Sequence, residues 1–262
     1  MLDEIVSRHT AAEQIAAEAG ALALNFFNRR SDLITEFKAS PQDAVSQADR
    51  QVEDLVRQRI SAMFPDDGLL GEEQGLLGGT SGFTWVIDPI DGTTPFLAGL
   101  PHWCVAIALV QDGVTVAAVT HAPMQGEVYS ARRGAGAWLN GKRLAVDGGT
   151  TLENSLTGIG ANHRTSPDHV AGVIRELLIA GGAFYRSGSG ALMLAAVAAG
   201  RLGTYYEPYM NCWDCLGGLL MVEEAGGTVK PFGSPNDLRM GGPVLASAPA
   251  AWEEINRIIA GN

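Results

Sequence analysis

Positive charge is what this chain lacks most. Among its 262 residues, 18 lysines and arginines stand against 29 aspartates and glutamates, a formal charge of −11. That balance argues against a nucleic-acid backbone or an anionic membrane surface as the main partner, since both call for a basic face. An anionic substrate would need local positive charge that the composition does not supply, and a bound cation is one solution. Cysteine is also scarce. Cys104, Cys212 and Cys215 are too few, and odd in number, for a disulfide scaffold, so a reducing, cytoplasmic setting is expected. The opening MLDEIVSRHT is acidic and amphipathic, not a basic-then-apolar leader. The most apolar run, ALMLAAVAAG at 191–200, is about half of the ~20 residues that span a bilayer. There is no internal repeat, low-complexity tract or charge block.

What is present suits a large core, held in one unit or in two halves sharing a cleft. Ile5, Ile15, Ala19, Leu22 and Phe26 recur at helical spacing and predict a helix over 2–28. Val52, Leu55, Val56, Ile60 and Met63 predict a second over about 43–63, stopped by Pro65. Short strands are predicted near GLLGEE and TWVIDP. The alternating runs WCVAIALVQDGVTVAAVTHAP and GEVYSARRGAGAWLNG follow, with Asp112-Gly113 as a hairpin turn. From about residue 150 the grain changes. Strand-like LTGIG, GAFYR, GTYYE, GTVKP and PVLASA alternate with helical stretches near 168–180, 190–199, 214–225 and 250–260. The reading is an α+β half over 1–150 and an α/β half over 151–262, with a site in the cleft between them.

The chemistry concentrates in WVIDPIDGTT, residues 85–94. Pro89 has no N–H to give a sheet, so the strand is expected to release the chain there, leaving Asp88 at its end and Asp91 in a turn. Thr94-Pro95 has the composition of an N-cap followed by proline at the first helical position. The amides of Gly92 and Thr93 would then face outward as a phosphate site. Two carboxylates beside an anion site repel each other and the anion unless a cation lies between them, and Mg²⁺ with its oxygen ligands fits. Taken alone, Asp-Pro-Ile-Asp-Gly is also the composition of an ordinary turn. Further acids join it: Glu72 and Glu73 in GEEQ, Asp214 at the start of a helix in WDCLGGLLMVEEAGG, and Asp49 near the start of the second helix. Each alone also reads as a capping or solvated acid.

The segments DAVSQADRQVE, GEEQG, WVIDPIDGTT and WDCLGGLLMVEEAGG, in that order, resemble the inositol monophosphatase family of Mg²⁺-dependent, lithium-sensitive phosphatases. The likeness runs from about Lys38 to the C-terminus, and the first helix fits it too. It implies a layered αβαβα sandwich of the inositol monophosphatase and fructose-1,6-bisphosphatase type, a homodimer, and hydrolysis of a small phosphorylated metabolite with two to three Mg²⁺ ions. Glu72, Asp88 and the Ile90 carbonyl would hold the first ion. Asp88, Asp91 and Asp214 would hold the second, and a third would lean on Glu72 through water. Thr93 and Asp49, with Glu72, would orient the attacking water, and the Gly92 and Thr93 amides would bind phosphate. Lys38 matches a lysine on a loop over the site. Glu207, Ser189 and Gly190, with Asp91 and Asp214, match the substrate-binding wall, and Asn162 lies in a loop where the likeness is loose.

Myo-inositol monophosphate is the first substrate expected and histidinol phosphate the second, ahead of 3′-phosphoadenosine 5′-phosphate, fructose 1,6-bisphosphate and NADP. Pro95 replaces an asparagine found in many members and Asn211 a histidine found in some, and neither change removes a metal ligand. Two rival readings remain open. A regulatory binding protein can share the fold. Cys212-x-x-Cys215 at a helix start has redox spacing, but Asp214 already has a role inside it and no second cysteine pair exists for zinc.

Overall fold

The computed structural model describes residues 2–33, 35–37, 44–233 and 238–262. The chain opens with α1 (Leu2–Asn28), the short paired strands β1 (Thr35–Phe37) and β2 (Ala44–Ser46), and α2 (Gln47–Met63). Next come β3 (Gly68–Gly71), β4 (Gly75–Leu77), β5 (Phe83–Asp91), α3 (Thr93–Ala98), β6 (Cys104–Gln111), β7 (Val114–Ala122), β8 (Glu127–Arg132), β9 (Gly136–Leu139) and β10 (Lys142–Arg143). The remainder is β11 (Leu156–Ile159), α4 (Pro167–Ile179), β12 (Ala183–Tyr185), α5 (Gly190–Ala198), β13 (Thr204–Met210), α6 (Cys212–Glu224), β14 (Thr228–Val229), β15 (Gly242–Ser247) and α7 (Trp252–Ala260). Eight strands form one sheet in the order β10-β9-β8-β7-β6-β5-β3-β4, and five form a second in the order β12-β11-β13-β15-β14.

Period two in the strands and period three to four in the helices sort these elements into layers. On α1, Ala11, Ala12, Ile15, Ala16, Ala19 and Ala23 are buried and join Val52, Val56 and Ile60 of α2 against Trp85, Ile87, Ile107 and Val119 of the large sheet. The opposite face of that sheet meets α5 and α6: Leu194, Val197, Leu219 and Met221 pack with Ala118 and Tyr129 of the large sheet and with Val244 and Ala246 of the small one. The two helices approach closely, because a methyl at Gly218 would stand 2.4 Å from the Leu194 Cβ. Helices α4 and α7 cover the outer face of the small sheet through Val173, Leu177 and Ile255 against Ile159, Tyr206 and Leu245. Each such side chain contributes about 1.5–3 kcal/mol when fully buried. The result is the expected αβαβα layering.

The Asp112-Gly113 turn forms as read, with φ of 50° and 79°, the left-handed pair of a two-residue hairpin between β6 and β7. Three local expectations need correction. Helix α2 starts at Gln47 and not near 43, because Ser46 caps it and residues 44–46 pair with 35–37 as a strand. The short helix after β5 is capped by Gly92, in the left-handed region at φ 93°, so Thr94 lies inside it. And β5 does not release the chain at Pro89. Its pairing with β6 resumes at Asp91, which opposes Cys104, after Asp88 opposes Ala106.

That last correction shapes the site. Between those pairs, Pro89 and Ile90 stand against Val105 alone, so the strand carries a β-bulge of one extra residue. Proline is tolerated there because its missing N–H falls in the irregular step. In a regular strand, residues three apart point to opposite faces. The extra residue restores the parity and turns Asp91 to the side of Asp88. Val86, on that same face, packs with Cys212, Trp213 and Leu216 of α6. The bulge therefore aims both carboxylates toward the helix that carries Asp214.

Candidate active site

Asp88, Asp91 and Asp214 each offer an oxygen to a group whose members all lie within 4.8 Å of one another. Asp88 is buried, and its Oδ1 accepts from the Ile90 amide at 3.1 Å. Asp91 is held from the far side of the cleft. Its Oδ2 accepts from the Ser189 hydroxyl at 2.5 Å and the Ala191 amide at 2.6 Å, and its Oδ1 from the Gly190 amide at 3.3 Å. The start of α5 thus grips a carboxylate that belongs to the large sheet. Asp214 is the third residue of α6, and its Oδ2 accepts from the Asn211 amide at 2.9 Å. Glu72 lines the same cleft outside that group of three.

Like charges at about 4 Å repel by about 4 kcal/mol near a protein surface. The carboxyls respond accordingly. Burial pushes Asp88 well above the ordinary aspartate range, and the charges of Glu72, Asp91 and Asp214 push it further. Burial likewise raises Asp214 well above its range, with Glu72 and Asp91 adding to the effect. Asp91 is raised by burial too, against the opposing hydrogen bonds from Ser189, Ala191 and Gly190. Among the described residues, the charges that act most strongly on Asp88 and Asp214 are those of other acids. The available donors are hard oxygens: three carboxylates, with Glu72 and the Ile90 carbonyl beside them. Burial also pushes the neighbouring Cys104 thiol well up. This donor set fits Mg²⁺ and fits zinc or copper poorly.

Beside the acids lies a second arrangement. Asp49, buried as the third residue of α2, accepts at Oδ2 from the Ser46 amide at 2.8 Å and the Ser46 hydroxyl at 2.6 Å. Its Oδ1 lies 3.1 Å from the Thr93 hydroxyl, which is also 3.1 Å from the Ile90 carbonyl, so either oxygen can accept the Thr93 proton. Gly92 brings the backbone close: a methyl there would stand 2.7 Å from the His102 carbonyl, and φ of 93° suits glycine. Gly92, Thr93 and Thr94 line the cleft.

The cleft itself measures about 710 Å³ and continues from the acids to a wall from the second half of the chain. Glu207 stands there with its carboxyl raised by burial, accepting from the Tyr205 hydroxyl and, at 3.1 Å, from Asn162 Nδ2. Lys38 lies outside the described residues. Apart from it, Glu72, Asp88, Ile90, Asp91, Gly92, Thr93, Ser189, Gly190, Glu207 and Asp214 line this cleft, and Asp49 bonds to Thr93, whereas Glu73 is not among the lining residues. Asn162 earns a firmer place than its loop suggested, since it also donates to the Tyr209 carbonyl at 2.6 Å. Sequence reasoning missed Tyr205, Arg164 and Arg186, which line the cleft. The only signal for Tyr205 was its spacing two residues before Glu207, on the same strand face.

The family model for the inositol monophosphatase family matches residues 5–261. An inositol-1-monophosphatase of Mesorhizobium japonicum is 38% identical over 236 residues, covering 89% of this chain and 88% of that protein. A Nus factor SuhB of Xylella fastidiosa is 38% identical over 227 residues, covering 86% and 82%. Among solved structures, the extragenic suppressor protein suhB of Bartonella henselae matches with a TM-score of 0.90 at 33% identity, over 97% of this chain and 98% of that one. An IMPase of Thermotoga maritima matches at 0.84 and 28% identity, over 95% and 94%. The ordered acids, the five-layered fold and a match over nearly the whole length agree: the chain belongs to the inositol monophosphatase family.

Proposed function

We propose that this chain is a Mg²⁺-dependent phosphatase that hydrolyses a small phosphate monoester, with myo-inositol monophosphate the first substrate to test. The observation that carries the proposal is the convergence of Asp88, Asp91 and Asp214 within 4.8 Å, beside the Thr93–Asp49 pair. Asp88, Asp91, Asp214, Glu72 and the Ile90 carbonyl would hold two to three ions. When bound, Mg²⁺ lowers the pKa of a coordinated water and neutralises charge on the phosphoryl oxygens. The rest falls to the chain. The Gly92 and Thr93 amides receive the phosphate. Thr93 donates its hydroxyl hydrogen bond to Asp49, which leaves the Thr93 oxygen free to accept from the attacking water and orient it together with Glu72. Glu207 accepts from substrate hydroxyls, with Ser189 and Gly190 shaping the adjoining wall through their hold on Asp91. The unpaired cysteines suit work in a reducing cytoplasm, and membership of the family suggests a homodimer.

Phosphate release should be measured with inositol monophosphate, histidinol phosphate, 3′-phosphoadenosine 5′-phosphate, fructose 1,6-bisphosphate and NADP, with Mg²⁺ and with added Li⁺. Mg²⁺-dependent, Li⁺-inhibited release, fastest from the inositol ester, is the expected result. A preference of about a hundredfold (~2.7 kcal/mol) for histidinol phosphate would overturn the substrate and leave the mechanism. The relatives named Nus factor SuhB support a second reading, a regulatory binding protein. Metal binding that tightens with phosphate but yields no turnover across the panel would favour it.

A further inference from the structure

One buried acid has no part in the site as described. Glu53, on α2, is fully buried, and it points into the three-residue turn Glu72-Glu73-Gln74 between β3 and β4. Its Oε2 accepts from the Glu73 amide at 2.8 Å and its Oε1 from the Gln74 amide at 3.2 Å. Arg57, one turn along the same helix, donates from Nε to Glu53 Oε1 at 2.7 Å and from Nη2 to the Gly75 carbonyl at 2.5 Å. On the near side of the turn, the Glu72 amide donates to the Ile87 carbonyl at 3.2 Å, tying it to β5.

We propose that Glu53, neutralised by Arg57, is a positioning residue for the metal centre: it holds the turn from beneath so that Glu72 faces Asp88. The inference rests on the reading of Glu72 as a cation ligand. A buried carboxylate is expensive unless it is paired and hydrogen-bonded. Here both conditions are met, by Arg57 and by the amides of the two residues that follow Glu72, so the backbone just after Glu72 is immobilised. Arg57 has a second consequence. It cancels the charge of Glu53, so the turn gains a rigid support without adding another net negative charge beside the clustered acids. Gly71 is part of the same device, because a methyl there would stand 2.2 Å from Glu53 Oε1 and drive the carboxylate out of the turn. Outer-shell partners of this kind typically set metal affinity by about 10–100-fold.

The test is titration calorimetry of Mg²⁺ into metal-free protein, run beside the Mg²⁺ dependence of turnover, on the unaltered chain and on Glu53→Gln, Glu53→Asp and Gly71→Ala. Asp67→Asn serves as the control, since Asp67 is a buried acid paired with Arg8 and bonded to Ser81 and Trp85, none of them in the cleft. The expected result is Mg²⁺ affinity weakened about tenfold or more in Glu53→Gln and Gly71→Ala. Turnover at saturating Mg²⁺ should stay within about threefold, Glu53→Asp should recover part of the affinity, and Asp67→Asn should change melting temperature only. If Glu53→Gln does not fold, Gly71→Ala carries the same comparison with the charge retained. Unchanged Mg²⁺ affinity in folded variants overturns the proposal. Failure of the unaltered chain to bind Mg²⁺ overturns the reading of the acid cluster itself, and the positioning role with it.

Discussion

Helices α2 and α6 begin alike and serve differently. Each carries an aspartate at its third position whose carboxylate returns to the amide of the residue before the helix, Asp49 to Ser46 and Asp214 to Asn211. In both, the local chemistry is that of a cap, satisfying an amide that the helix leaves unpaired. Their surroundings then part them. Asp49 meets donors: the Ser46 hydroxyl and Thr93 oppose the upward push of burial. Asp214 meets acids: the charges of Glu72 and Asp91 add to that push. A cap set among donors becomes a fixed acceptor for a hydroxyl proton. A cap set among like charges stays costly until a cation arrives.

The most forceful way to break the comparison is Asp214→Asn. The amide keeps the shape and the bond from Asn211 but removes the charge, so Mg²⁺-dependent turnover should fall by roughly 10²–10³. The melting temperature of the metal-free protein should hold or rise, since repulsion with Glu72 and Asp91 is relieved. Steady-state kinetics and thermal denaturation of the same preparation check both halves. Near-normal activity would remove Asp214 from the mechanism.

Next in size is the response to Mg²⁺ itself. Asp88, Asp91 and Asp214 sit above the ordinary aspartate value of 3.8. A raised carboxyl keeps its proton longer in the folded chain than in the unfolded one. Metal-free stability therefore falls as pH climbs from that value toward the raised ones. Mg²⁺ takes the place of those protons. At a hundredfold excess over its Kd it should add about 2.7 kcal/mol. The rise in melting temperature with Mg²⁺ over chelator should be larger near about pH 7.5 than near about pH 5. An equal rise at both would mean that the acids are not the ligands.

Asp49→Ala sharpens the contrast from the other side. It removes a cap and a hydroxyl partner together, so stability should drop by about 1 kcal/mol. Turnover should drop by roughly 10–100-fold, with Mg²⁺ affinity less affected than in Asp214→Asn. The smallest effect is expected at Glu207→Gln, on the cleft wall from the second half of the chain. There KM for the inositol ester should rise about fivefold with turnover nearly unchanged.

Legibility followed range. The hairpin at Asp112-Gly113 and the amphipathic α1 were readable because a turn dipeptide and a helical period are decided within a few residues. The acids were readable as a set only through their order along the chain. Pro89 misled because the rule excluding proline from strands is about ladder bonds, and a bulge suspends the ladder for one step. Thr94 misled because Gly92, free to take a left-handed φ, ended the strand and capped the helix two residues earlier. Arg57 and Glu53 gave no sign at all: an acid and a base four apart on a helix usually form an exposed pair. Here the neighbouring turn buries the acid fully and most of the base.

By itself the amino-acid order determined the longer helices, most of the strands, the Asp112-Gly113 hairpin, and an ordered set of acids that resembles one family. Which of those acids face one another was decided by tertiary structure. A bulge at Pro89–Ile90 turns Asp91 to the side of Asp88, the start of α5 holds it there, and packing of α6 on the same sheet face delivers Asp214. The reason is physical. Caps and turns are satisfied by near neighbours, whereas repulsion among carboxylates becomes strong only when folding removes water and brings distant segments within a few ångströms.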